Sequence, residues 1–162
     1  MKQRQSRILL TILLATCAPL AFAQTDEHDP DSDDGATEEL RKNFVGGFIG
    51  GAHEGRDNGS VLGLVYERLL SESFGIGVIA EHTYGDFDFS VFAVPFVYRT
   101  GPWRLFIAPG VEDSEHGTES LWRLGAGYAF EAGTLEVVPE LSVDFVDGEK
   151  VFVLGVVIAK GF

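Results

Sequence analysis

The chain has 162 residues, 45% hydrophobic and 12% aromatic, with a formal charge of −13 at pH 7. That surplus of carboxylates argues against nucleic acid as a partner, because binding it requires clustered cations to neutralise phosphates. Cys17 is the only cysteine, so no disulfide within the chain can staple the fold and no cysteine cluster can hold a metal.

Lys2, Arg4 and Arg7 precede the apolar run "ILLTILLATCAPLAF", and Ala21-Phe22-Ala23 supplies a small-x-small cleavage pattern. Residues 1–23 are therefore predicted to be an export signal, too short and wrongly flanked for a good membrane span. Leu14-Ala15-Thr16-Cys17 resembles a lipobox, but Thr16 stands where Gly, Ala or Ser is usual. Residues 24–42, "QTDEHDPDSDDGATEELRK", set eight acids against Arg41 and Lys42. With so little apolar surface to bury, they are predicted to form a mobile acidic segment. Losing the three leader cations takes the formal charge to −16, of which residues 43–162 carry −10. That remainder fits one domain.

From Asn43 onward the sequence divides into eight short runs, near 43–53, 60–70, 73–83, 87–99, 102–112, 119–131, 134–145 and 149–162. Between them lie turn-rich stretches such as "EGRDNG", "YGDFD", "RTGP", "EDSEHGTE", "EAGT" and "DGEK". No stretch sustains a 3.6-residue period, so the chain reads as all-β. The faces separate a soluble barrel from a membrane barrel. In the sixth run Trp122, Leu124, Ala126, Tyr128 and Phe130 oppose Arg123, Gly125, Gly127 and Ala129. In the seventh, Leu135, Val137, Leu141, Val143 and Phe145 oppose Glu136, Val138, Glu140, Ser142 and Asp144. A soluble barrel would keep its bulk inside. Here the second face holds glycines and isolated charges, which suit the cramped lumen of an eight-stranded closure. The bulky face suits lipid, so the prediction is an antiparallel up-and-down transmembrane β-barrel over 43–162.

With both chain ends on the periplasmic side, Phe74, Tyr98, Trp103, Tyr128, Phe130 and Phe162 fall near one rim. Tyr84, Phe87, Phe89, Trp122, Phe145 and Phe152 fall near the other, giving two interfacial belts. Pro95, Pro109 and Pro139 lie inside predicted strands and remove ladder donors, so bulges are expected there. The first run has no clear face.

The last strand, "VFVLGVVIAKGF", alternates apolar residues to Phe162 and must pair with the first to close the barrel. With the export signal and the eight amphipathic runs, it makes the chain resemble the small outer-membrane β-barrel proteins of Gram-negative bacteria. The resemblance implies residence in the outer membrane, contact with its lipid and lipopolysaccharide, and a final strand read by the barrel-assembly machinery. Phe152, Leu154, Val156, Ile158 and Phe162 match that assembly pattern, whereas Lys160 departs from it.

Three constellations could carry chemistry. Glu67, Glu81, Arg104, Arg123, Glu140 and Glu136 point into the lumen by parity, where unpaired charges are costly and should form a salt-bridge plug. A gated path for small solutes is the alternative use of the same residues. His53, His82 and His116 lie near acids at the predicted outer rim, but without short metal-ligand spacing. No metal or cofactor is expected. A family of outer-membrane lipid A deacylases pairs His-x-Ser with a distant Glu; His116-Gly117-Thr118 with Glu131 only echoes it, and His82-Thr83-Tyr84 also lacks the serine. The reading is a monomeric, non-enzymatic barrel with a structural or surface-interaction role. A conduit for small or hydrophobic molecules, a lipid A hydrolase and a soluble ligand-binding barrel are its rivals.

Overall fold

The computed structural model describes residues 42–86, 88–115 and 117–162. The predicted export signal and all but the last residue of the acidic segment lie outside them. The described chain forms eight antiparallel strands. These are β1 (Asn43–Glu54), β2 (Asp57–Leu69), β3 (Phe74–Gly85), and β4 in two pieces (Phe89–Ala93 and Phe96–Thr100). They continue with β5 (Trp103–Ser114), β6 in two pieces (Gly117–Tyr128 and Phe130–Ala132), β7 (Leu135–Val146) and β8 (Glu149–Gly161). Each strand pairs with its sequence neighbours, and β8 closes onto β1 from Phe44↔Gly161 to His53↔Phe152. Closure leaves no free sheet edge. The β7–β8 hairpin turns on Asp147 and Gly148, both at positive φ, as the Asp-Gly pair favours.

Period-2 alternation turns this barrel inside out relative to a soluble one. On the outside, Leu64 is 69% exposed and Leu154 64%, while inside Arg123 is 1% and Asp144 0% exposed. An outer surface that apolar is a surface for lipid, since water would make it strongly unfavourable. β1 acquires a face in the fold: Phe44, Phe48 and Ala52 turn inward, and Val45 and Ile49 outward. The inner glycines give room to large rings. A Cβ at Gly125 would run into the Phe106 ring, and one at Gly50 or Gly155 into Phe48.

The belt at the rim that holds Asn43 and Phe162, predicted to face the periplasm, has its rings in contact. Phe74 and Tyr98 have ring centroids 5.2 Å apart, and Tyr128 lies 5.1 Å from Trp103 and 4.8 Å from Phe130. At the other rim Tyr84, Trp122, Phe145 and Phe152 face outward. Phe89 does not: it is buried beside Val91 and Ala93, because odd positions of β4 point inward. Phe87 lies outside the described residues.

The prolines behave differently from expectation. Register is constant through all three, with Ala93↔Gly110 and Phe96↔Ile107 lying on one ladder, so no residue is inserted. Pro109 and Pro139 sit in unbroken strands paired with Trp122 and Val156. Two strands are interrupted: β6 at Ala129, beside the position opposite Pro139, and β4 at Val94-Pro95. At the β4 break Val94 N–H donates to Pro109 O and Gly77 N–H donates to Pro95 O, each at 2.9 Å. In both pairs the reciprocal bond would need a proline N–H, so two losses fall at one spot instead of spreading along the wall.

Candidate functional site: the lumen, its outer mouth and the lipid-facing wall

The strands bring the inward charges into two levels. At the level nearer the chain-end rim, the predicted periplasmic side, Glu67 of β2 accepts from Arg99 Nε at 2.8 Å and from Arg104 Nε at 2.9 Å. Arg104 Nη1 donates to Glu140 of β7 at 2.6 Å, and Arg99 Nη1 to Glu136 at 3.0 Å. The Arg99 and Arg104 guanidiniums also lie over the Phe44 and Phe106 rings, at 4.6 and 4.8 Å. Nearer the outer side, Arg123 of β6 grips Asp144 through Nε and Nη2 at 2.6 and 2.8 Å. Its Nη1 reaches Glu81 of β3 at 2.6 Å.

All six lumen residues picked from the sequence therefore lie in these two levels. Arg99 and Asp144 join them. Parity already placed Asp144 on the inner face, and Arg99 follows once the register through Pro95 is known. Bidentate and charge-assisted bonds of this kind are how a buried charge escapes its desolvation cost. Beside the level nearer the chain-end rim remains a cavity of about 20 Å³, lined by Phe44, Glu67, Arg99 and Glu136 among others, which is room for about one water.

The outer mouth is acidic. A depression there is lined by Glu54, Asp86, Asp88, Glu112, Glu119 and Glu149, among others. Burial pushes the Glu112 carboxyl up to about 7, with Asp144, Glu119 and Glu54 adding repulsion. Its Oε2 has no hydrogen-bond partner among the described residues. Burial, helped by a hydrogen bond with Glu149, raises Glu54 as well. His53 Nδ1 contacts Asn58 Oδ1 at 2.8 Å, and His116 lies outside the described residues. Thr118 donates to Asp113 at 2.5 Å at the outer rim, whereas Glu131 pairs with Glu136 at the opposite one. Those parts of the deacylase echo are not brought together.

The wall facing lipid holds a contact that the linear sequence hides. His82 of β3 and Ser90 of β4 are register partners, with Nδ1 2.9 Å from Oγ. The signal for it was parity across a hairpin, since both positions lie on the outward faces of neighbouring strands.

No protein-family model and no curated protein matches the chain. Solved structures do. Ail, the attachment invasion locus protein of Yersinia pestis, superposes with a TM-score of 0.50 at 16% identity, over 75% of this chain and 97% of Ail. The N-terminal β-barrel domain of Pseudomonas aeruginosa OprF gives 0.52 at 12% identity, over 75% and 98%. A de novo designed transmembrane β-barrel gives 0.52 at 14% identity, over 77% and 99%. At such identities the likeness is one of fold, and the designed barrel makes plain that the fold carries no particular activity.

Proposed function

We propose that this chain, whose fold is that of the small outer-membrane β-barrels of Gram-negative bacteria, is a plugged barrel. Its bore is structural, and its work is done at its surfaces. The observation that carries the reading is the pair of ion-pair levels: arginines from β4, β5 and β6 cross the bore to acids on β2, β3 and β7. Eight strands enclose little free volume, and these side chains occupy it. The bore itself needs no catalytic role. Outer-leaflet lipid and lipopolysaccharide meet the apolar wall and acidic rim, with the barrel acting as a monomer. The outward set Phe152, Leu154, Val156, Ile158 and Phe162 on the closing strand serves as the signal to the assembly machinery.

The test is single-channel recording in planar bilayers with protein purified from outer membranes. The plug reading expects no steady conductance from the parent and open events once Arg104→Ala or Glu140→Ala thins the periplasmic level. Steady parent conductance that survives conservative lumen changes would favour the conduit instead.

A further inference from the structure

A histidine and a serine turned toward hydrocarbon are unfavourable unless they find partners or sit at headgroup depth. His82 and Ser90 find partners, toward the rim that carries Tyr84. His82 Nδ1 is 2.9 Å from Ser90 Oγ, and His82 Nε2 is 3.4 Å from Asp88 Oδ1, whose side chain is 67% exposed. Tyr84, a residue type that settles at membrane interfaces, stands edge-on to the His82 ring with centroids 4.2 Å apart. Leu62, Leu64, Ala80 and Phe92 share an open groove with His82, Tyr84 and Ser90 on the same wall. The arrangement is a hydroxyl, an imidazole and a carboxylate in sequence, at the interfacial end of an apolar track.

We propose that Ser90, His82 and Asp88 form an esterase centre for acyl esters of outer-leaflet lipids, with the acyl chain lying along the Leu62–Leu64–Phe92 groove. This goes beyond the structural role of the bore and uses none of its residues. Asp88 beside Nε2 favours the tautomer with its proton on that nitrogen, leaving Nδ1 free to accept. Ser90 Oγ bonds to the acyl carbonyl carbon as its proton passes to Nδ1. The ester C–O bond then breaks, and the same proton goes to the leaving alkoxide. Water attacks the acyl-serine and gives a proton to Nδ1; the acyl–Oγ bond breaks, and Ser90 recovers the proton. The sum is ester plus water to acid plus alcohol.

Ser90 is paired with both His82 and Asp113, so its own N–H is committed to the ladder and cannot hold an oxyanion. Turnover should accordingly be slow, which makes covalent capture the primary readout.

Protein purified from outer membranes is exposed in detergent micelles to an alkyl fluorophosphonate, and the adduct is mapped by mass spectrometry. The expected result is a label on Ser90 that is lost in Ser90→Ala, falls at least about tenfold in His82→Ala, and persists in Ser120→Ala on a distant outer strand. Asp88→Asn should slow labelling of Ser90 without abolishing it, because the carboxylate no longer orients the imidazole ring. Mobility change on boiling verifies that each variant is folded. Fatty-acid release is then followed from phosphatidylethanolamine vesicles and from lipopolysaccharide vesicles; Ser90-dependent release from one of them names the lipid class. A folded parent that takes no label, or a label that survives His82→Ala, overturns the centre and leaves an interfacial hydrogen bond. Release from neither lipid overturns the substrate assignment.

Discussion

Replacing Arg123 by methionine keeps most of the side-chain volume and removes only the cation. The guanidinium is 1% exposed and makes three charge-assisted bonds, two to Asp144 and one to Glu81. Its loss leaves two carboxylates with 2% or less of their side chains exposed and no cation between them. Breaking a buried pair by removing one partner costs about 3–5 kcal/mol. With a urea slope of about 2 kcal/mol per molar, the unfolding midpoint should fall by about 2 M. Trp103 and Trp122 both face outward, so their fluorescence reports the loss of the lipid environment, and gel mobility without boiling gives an independent count of closed barrels. Adding Glu81→Gln and Asp144→Asn to Arg123→Met should restore more than half of the loss, because the orphaned charges go with it. An Arg123→Met barrel that unfolds at the parent's urea concentration would refute the claim that this level holds the bore together.

Gly125→Leu should cost about 1–3 kcal/mol by driving a side chain into the Phe106 ring, and Phe106→Leu in the same chain should return part of it; urea midpoints check both. Leu154→Lys places a charge on the lipid face midway along β8 and should destabilise the barrel in vesicles by about 2–4 kcal/mol, with a smaller effect in detergent. Glu112 binds its proton more tightly folded than unfolded, so the parent should lose stability as pH rises from 4.5 to about 7. Glu112→Gln should remove that loss, standing above the parent at pH 8 and level with it below pH 4.5 in urea midpoints measured across the range; a pH-independent difference would contradict the linkage.

Much of this protein follows from a period of two. Which side of a strand a residue occupies is a local property of the extended backbone, so the inward Glu67, Glu81, Arg104, Arg123, Glu136 and Glu140 could be named without knowing a single contact, and the outward tryptophans with them. The same counting gave eight runs and the inner glycines. What alternation cannot supply is register, because strand offset is fixed between chains of residues, by turns and by closure of β8 on β1. Register decided that Arg123 meets both Asp144 and Glu81, that Arg99 is shared between Glu67 and Glu136, and that Phe89 turns inward. It also stacked the missing donors of Pro95 and Pro109 at one break, where the sequence suggested separate bulges. And it set Ser90 against His82, eight residues apart along the chain and one hydrogen bond apart across the wall. Faces belong to a strand alone; partners belong to the closed barrel.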